Sequence, residues 1–255
     1  MVYPNIMSLT NNILQLTLKS LPEDFKRRLR VHLGGPDLRW SLMQLRRFGF
    51  APKNVMDVGA YVGDWTRACL EVFPKVAVTC IEPQTACQHT LRDLEDKKDG
   101  IQVIQTLLGR IEKESVSFEE LGSGSSVLSV SGATAQNKPM ATIDTLIRTG
   151  RCAPPELLKL DVQGYEIEVL EGWHLGFERC QIIQCEVSLI PIVQGAPLLH
   201  ELVAYLHGRG FVMFDVDELI RAASDGAIWQ LDALFCRVDS PILINRSWTP
   251  DKIIA

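Results

Sequence analysis

Three acidic residues end short apolar runs and are the clearest candidates for chemistry in this chain. Asp57, Glu82 and Asp161 each stand at or directly after such a run. A carboxylate there can accept hydrogen bonds from ligand hydroxyls, pair with an amine, or take up a proton during a reaction. Because open α/β sheets bind ligands at the carboxyl ends of their strands, we expect these residues to border one site.

Glycines after the first run predict a turn that a ligand can approach closely. Gly59 and Gly63 bracket the turn, which leads into an amphipathic segment at 65–73. Glycine permits the backbone geometry of such a turn and leaves no Cβ in the way of a ligand. A nicotinamide fingerprint would need glycine at 59, 61 and 64, and Tyr61 and Asp64 break that pattern.

The second acidic residue suits a ribose. Glu82 lies 19 residues beyond Gly63, and Pro83, which cannot donate to a ladder, ends the strand directly after it. An acidic residue about 20 residues beyond a glycine turn accepts ribose hydroxyls in nucleotide-binding sheets. The alternative is a solvated glutamate at a strand end.

Apolar strands and amphipathic helices alternate after residue 50, which indicates parallel βαβ units and an α/β sheet. The run 121–138, rich in Ser and Gly, is predicted to be a long loop that closes over a substrate or only connects elements. Strands are predicted near 54–58, 77–82, 101–105, 157–161, 181–187, 211–215 and 231–237, and helices near 65–73, 84–95, 141–149, 164–172, 197–208 and 216–223.

Residues 1–50 are predicted to form a helical extension with a positive charge. They carry eight Lys/Arg and three acids, and the rest of the chain carries 18 bases and 28 acids. A capping box at 20–23 predicts a helix over about 21–33, and a second helix should extend to Gly49. The basic residues at 26–30 are either a solvated face or a contact for an anionic acceptor. The acidic remainder argues against nucleic acid.

A further run gives a strand, a turn and a helix in direct succession. The apolar strand ends at Asp161, Gly164 allows the turn, and Glu166 opens a helix where its charge suits the helix dipole. Together the motifs resemble the FkbM methyltransferase family over about 50–238. They are D-V-G-A-x-x-G-x-x-T at 57–66, E-P at 82–83, T-I-D at 142–144, K-x-D-V-x-G-x-E at 159–166, V-L-x-G at 169–172 and D-A-L-F at 232–235.

The resemblance implies a Rossmann-like class I methyltransferase domain over 51–255, with a mostly parallel seven-stranded sheet and helices on both faces. It implies S-adenosylmethionine as cofactor, and a hydroxyl on a sugar-containing or natural-product small molecule as the usual acceptor. Two departures are Tyr61, where Asn is common, and Gln163, where Glu is common. The implied cofactor contacts are Asp57 for the methionine amine, Gly59, Ala60, Tyr61 and Gly63 for the amino-acid end and ribose, Glu82 with Pro83 for the ribose, Leu107 and Leu108 for adenine, and Asp161 where methyl donor and acceptor meet.

Methyl transfer to a hydroxyl also needs a group that takes the acceptor proton. The candidate bases are Asp161, Glu186 at the end of 181–187, and His174, which could equally be a histidine at a helix end away from the site. Magnesium held by Asp161, Glu166 and Glu186 is conceivable because that ion favours carboxylates. No dense cluster of oxygen ligands is visible, so we expect no metal.

Composition sets the remaining expectations. Seven cysteines without C-x-x-C spacing favour reduced thiols over a disulfide framework, and no apolar run approaches the ~18 residues of a membrane span. We therefore expect a cytoplasmic protein. The family resemblance implies a sugar-like acceptor, the basic residues at 26–30 suggest an anionic one, and the oligomeric state stays open. A non-catalytic S-adenosylmethionine-binding scaffold or sensor is the main alternative, and a nicotinamide-dependent oxidoreductase is the other.

Overall fold

The structure is a computed structural model that describes residues 22, 25, 37–128, 134–222 and 225–244. Its strands are β1 (Asn54–Val58), β2 (Ala77–Ile81), β3 (Ile101–Ile104), β4 (Leu107–Leu108), β5 (Lys113–Glu120), β6 (Thr134–Ala141), β7 (Leu157–Leu160), β8 (Ile182–Ser188), β9 (Phe211–Arg221) and β10 (Ile228–Arg237). Its α-helices are α1 (Leu38–Arg47), α2 (Asp64–Val72), α3 (Thr85–Lys97), α4 (Ile143–Arg148), α5 (Glu166–Glu171), α6 (Leu199–Gly208) and α7 (Pro241–Ile244).

The main sheet has seven strands in the order β3-β2-β1-β7-β8-β10-β9. The five neighbouring strands β3, β2, β1, β7 and β8 run parallel to one another, and β10 is antiparallel to both of its neighbours. Val58 of β1 is level with Ile81 of β2 on one side and with Leu160 of β7 on the other. The chain therefore leaves these three strands side by side, at the point where the strand order reverses and α/β sheets bind ligands.

Helices cover both faces of this sheet. On one face, buried side chains of α1, α2 and α3 pack in one cluster with alternate residues of the central strands, such as Val55 and Val78. On the other face, α4, α5 and α6 pack against the intervening residues, such as Met56 and Leu158. Since successive strand residues face opposite sides, the near-continuous apolar runs of β1 and β7 follow from burial on both faces.

Most predicted elements of the main sheet are confirmed, and the helix predicted near 216–223 is wrong. That segment continues β9 as far as Arg221, which pairs with Ile228 of β10. Cross-strand pairing has overridden the local helix signal. Of the helix predicted over 21–33, only Pro22 and Phe25 lie within the described residues, whereas the second predicted helix is α1.

A second, three-stranded sheet takes in the last five residues of the predicted loop, 134–138. β6 pairs antiparallel with β5 and parallel with β4, so residues 134–138 are strand. Phe118 of β5 and Met140 of β6 are buried against Leu107 of β4. This small sheet therefore stands over the chain that leaves β3, beside the carboxyl edge of the main sheet.

Candidate active site

A cavity opens at the carboxyl edge of the main sheet, with about 880 Å³ of empty space that is partly open to solvent. Its wall comes from the chain that leaves β1, β2, β3 and β7 and from the small sheet. The lining residues include Val58, Gly59, Ala60, Tyr61, Asp64, Trp65, Glu82, Pro83, Gln84, Thr106, Leu107, Leu108, Phe118, Ser125, Val127, Lys159, Asp161 and Tyr165. The cavity thus collects most of the cofactor contacts that the resemblance implies.

The turn after β1 is held tightly against its neighbours. Gly59 has φ +76°, and a Cβ there would collide with the Asp161 carbonyl oxygen. Tyr61 also has a positive φ, which is uncommon for a residue with a side chain and is found at functional sites. Gly63 caps α2 and packs against Leu91 and Leu94 of α3, so it shapes the turn from outside the cavity lining.

The Glu82 carboxylate is fixed in place before any ligand binds. Its residue is 2% exposed, its Oε2 accepts the Tyr61 backbone N–H at 2.8 Å, and its Oε1 accepts that of Gln84 at 2.9 Å. Burial raises the pKa of Glu82, although these two hydrogen bonds oppose the shift. Each oxygen keeps a second lone pair, which suits two further donors such as ribose hydroxyls.

Asp57 lies beneath the cavity and does not line it. Its carboxylate is fully buried, accepts the Thr66 hydroxyl at 2.6 Å, and lies 3.6 Å from the Lys159 ammonium. Burial raises the pKa of Asp57, while Lys159 and Thr66 oppose that shift. In this structure Asp57 braces the start of α2 and the glycine turn from below.

Lys159 connects that buried layer to the cavity. Its Nζ donates to the Gly59 carbonyl at 3.2 Å and to Asp161 Oδ2 at 3.1 Å. Burial lowers the pKa of Lys159, but the charges of Asp161, Asp57 and Asp232 outweigh burial and raise it above its usual value. The lysine therefore stays charged and ties Asp161 to the glycine turn.

An amide links Asp161 to the next strand. Gln163 Nε2 donates to Asp161 Oδ1 at 2.8 Å and to Glu186 Oε1 at 2.7 Å, and Gln230 donates to the same Glu186 oxygen at 2.8 Å. Glu186 does not line the cavity. Burial raises its pKa, and the charges of Asp161 and Asp232 raise it further. Two of the candidate bases therefore share one amide.

The remaining candidates have other surroundings. Glu166 is buried and accepts the backbone N–H of Gly164 at 3.1 Å, and burial raises its pKa to about 7. His174 is exposed and lies away from the cavity lining. Its ring Nδ1 pairs with Asp144 at 3.1 Å. Within the described residues, no group of three or more acidic, histidine or cysteine side chains is arranged to hold a metal ion.

The sequence motifs do not predict the contacts that Lys159 and Gln163 make with Asp161. Lys159 enters the sequence patterns only as the first residue of the K-x-D-V-x-G-x-E motif. A lysine between two leucines of a fully buried strand nevertheless indicates a buried charge that is paired. Gln163 was noted as a departure from the family pattern, and its left-handed φ of +52° and bridging amide give that departure a role. Ser126 of the small-sheet loop donates to the Gln163 carbonyl at 2.9 Å.

The mostly parallel seven-stranded sheet, with a cavity at its carboxyl edge, is the Rossmann-like fold that class I methyltransferases have. The family model described as Methyltransferase FkbM domain matches residues 57–213, well over half of the chain. The chain therefore belongs to the FkbM family of methyltransferases, and its cofactor is S-adenosylmethionine.

Comparison with solved structures finds distant similarity. A 1,6-didemethyltoxoflavin-N1-methyltransferase from Burkholderia thailandensis, solved with 1,6-didemethyltoxoflavin and S-adenosylhomocysteine, is 11% identical with a TM-score of 0.43, covering 94% of this chain and 93% of that one. A precorrin-6y C5,15-methyltransferase from Geobacter metallireducens GS-15 is 10% identical with a TM-score of 0.43, covering 76% and 85%. No curated protein matches the chain significantly. No helix of the described residues is long and apolar enough to cross a membrane.

The residues of the cavity fit this cofactor. Glu82 offers two oriented acceptor oxygens, and Leu107, Leu108 and Phe118 supply an apolar end for a base. Asp161, at the other end of the lining, offers negative charge. Leu107 and Leu108 follow β3, Glu82 follows β2 and Asp161 follows β7, which is also the order of these strands across the sheet. An extended ligand with a nucleoside at one end and an amino acid at the other can therefore span them.

Proposed function

We propose that the protein is an O-methyltransferase whose acceptor is a hydroxyl on a sugar-containing or natural-product small molecule. The carrying observation is that the Asp161 carboxylate lines the cofactor cavity while its partner through Gln163, Glu186, stands one strand further along the edge. S-adenosylmethionine supplies an activated methyl group when bound. A hydroxyl that receives this methyl must lose its proton, and a carboxylate beside the transfer point can take that proton.

The proposed division of the site follows the order of the strands. Leu107 and Leu108 contact adenine, Glu82 and Pro83 the ribose, and the turn at 59–63 the amino-acid end, with Asp57 acting from below. Asp161 then orients the acceptor and takes its proton, either directly or with Glu186 as the final proton acceptor. We give His174 no part in this step, because it is paired with Asp144 outside the lining.

The test works before the acceptor has been identified. Protein is incubated with methyl-labelled S-adenosylmethionine and fractionated small metabolites, and the labelled product is analysed by mass spectrometry. We expect the label on an oxygen atom, with formation of S-adenosylhomocysteine that depends on Asp161. Label on nitrogen or carbon would contradict the proposal. Binding of S-adenosylhomocysteine without turnover on any fraction would favour the non-catalytic scaffold instead.

The small-molecule nature of the acceptor and a cytoplasmic site of action belong to the same proposal. The acidic body of the chain, with 28 acids and 18 bases after residue 50, supports a small molecule over nucleic acid. The basic residues at 26–30, which suggest an anionic acceptor, lie outside the residues that the structure describes. Replacing those four basic residues by glutamine and measuring the Michaelis constant at several salt concentrations tests it once the acceptor is known.

A further inference from the structure

Lys159 is a buried positive charge in the wall of the cofactor cavity. Its residue is 6% exposed and lines the cavity beside Asp161. Its Nζ contacts the Gly59 carbonyl and Asp161 Oδ2 and lies 3.6 Å from Asp57 Oδ1. Lysine is seldom buried unless it is paired, and here its partners belong to the cofactor turn and to the end of β7.

The charges that surround Lys159 are negative. Attraction to these carboxylates keeps the lysine protonated despite its burial. The acidic groups facing it are Asp57, Glu82, Asp161 and Asp232, and Glu166, Glu186 and Glu218 face those in turn. Among these interacting side chains of the described residues, Lys159 supplies the positive charge of an otherwise acidic edge.

The cofactor and its product differ by one charge at this end of the cavity. The sulfonium of S-adenosylmethionine is positive, and S-adenosylhomocysteine is neutral at sulfur. If the nucleoside occupies the side of Glu82 and Leu107, the sulfur lies toward the turn after β1 and the end of β7. Carboxylates there stabilise the positively charged donor. They stabilise the transition state less, because the positive charge on sulfur is being lost there.

We propose that Lys159 is a positioning residue that offsets the carboxylate charge facing the sulfonium and so limits the preference of the site for the charged donor over the neutral product. The inference rests on the cofactor and on the geometry of Lys159, and not on the identity of the acceptor. It goes beyond holding the turn together, because a purely structural lysine would not change the donor-to-product affinity ratio.

The test compares two ligands on the protein without acceptor. Calorimetry at pH 8 gives the Kd values of S-adenosylmethionine and S-adenosylhomocysteine for the parent and for Lys159→Gln, whose amide can still donate but carries no charge. We expect the preference for S-adenosylmethionine to rise by about tenfold, the order of effect of one charge a few ångströms away at a partly solvated site. Lys159→Arg keeps the charge and should keep the parental ratio.

A matched control removes a lysine elsewhere. Lys138 is also largely buried and pairs with Glu120 at 3.3 Å, but it does not line the cavity. Lys138→Gln changes the net charge of the protein by the same amount, and it should leave the ratio of the two affinities as in the parent. A change as large as that of Lys159→Gln would mean that long-range charge explains the effect, and the proposal would be overturned.

A second pair of variants tests the proposal with the Lys159 charge and one opposing carboxylate removed together, which leaves no new unpaired charge between the two residues. Asp161→Asn removes one of the negative charges around Lys159 and should lower the preference for S-adenosylmethionine. The double variant Lys159→Gln, Asp161→Asn removes both charges together and should return the ratio to within about twofold of the parent. If the double variant has the same ratio of the two affinities as Asp161→Asn alone, the charge of Lys159 does not act on the sulfonium and the proposal is overturned. Failure of the parent to bind either ligand would instead refute the cofactor.

Discussion

Replacing Glu82 by alanine should weaken the binding of S-adenosylhomocysteine by about 1.5–3 kcal/mol, the value of two charge-assisted hydrogen bonds to the ribose hydroxyls. Since 1.4 kcal/mol is a factor of ten, the Kd should rise by about 10- to 150-fold. The structure supports the upper part of this range. The carboxylate is buried and already oriented by the backbone N–H groups of Tyr61 and Gln84, so it loses little freedom when a ligand binds.

The same hydrogen bonds create a confounding effect, because alanine also removes the support of the Tyr61 turn. A thermodynamic cycle separates the two contributions. Calorimetry measures S-adenosylhomocysteine and its 2′,3′-dideoxy analogue against the parent and against Glu82→Ala. If Glu82 binds the ribose hydroxyls, the parent prefers the natural ligand and the variant largely loses that preference. Glu114→Ala, which removes an exposed acid of β5, is the charge-matched control.

Two results would refute this reasoning. Equal losses of affinity for both ligands would mean that Glu82 acts only by holding the turn after β1. Unchanged affinity for both would remove Glu82 from the site altogether. The Glu114 control should bind like the parent in either case.

The remaining predictions concern turnover, thiols and pH. Asp161→Asn should lower turnover by about 100-fold or more in the labelled-methyl assay while S-adenosylhomocysteine still binds, and near-full turnover would move the role of base to Glu186. All seven cysteines, six of them buried, should be alkylated when protein purified without reductant is denatured, and a stoichiometric disulfide in the mass spectrum would contradict the expected reduced state. Burial raises the pKa of Glu166 from 4.5 to about 7, so the folded state holds a proton that the unfolded state has lost, and stability falls as the pH rises through that window. Urea unfolding therefore compares the free energy of unfolding of Glu166→Gln with that of the parent at several pH values. The difference between variant and parent should shift in favour of the variant by about 3 kcal/mol from pH 4 to pH 8, and a difference that stays constant would contradict the buried titration.

The central sheet could be predicted because its strands are buried on both faces. β2 and β7 are short apolar runs that end directly before an acidic residue, and β1 carries Asp57 as its last residue but one. Strands that are buried on both faces are apolar along most of their length, so they are easily recognised. Glycine and proline beside those acids gave the strand ends to within one residue. The identity of the edge that binds ligand then follows from parallel pairing alone.

The small sheet could not be predicted in the same way. β5 has one buried residue, Phe118, among charged and hydroxyl side chains, so neither a period of two nor an apolar run is visible. The end of β9 mixes acids with aliphatic residues in a way that also suits a helix. Its pairing with β10 decides the structure, and that partner strand comes later in the chain, from Ile228.

Contacts inside the site depend on register between distant strands, which a single sequence does not reveal. Lys159 and the Gly59 carbonyl are 100 residues apart in the chain, and Gln163 reaches Glu186 on the neighbouring strand. Such pairs become neighbours only when β1, β7 and β8 are aligned. The sequence motifs therefore identify residues of the site, but they do not show which of these residues contact each other.

The acids at the strand ends, equivalent in the sequence, acquire different chemistry from their surroundings. Asp57 is buried beneath the turn and accepts the Thr66 hydroxyl, so it supports the turn from below and does not line the cavity. Glu82 reaches the cavity with its oxygens aimed by backbone N–H groups, which favours neutral hydroxyl donors. Asp161 reaches it with an ammonium on one oxygen and an amide on the other, beside the point where we propose that the methyl group is transferred. The partner of each acid, and not its place at a strand end, therefore decides the role that we propose for it.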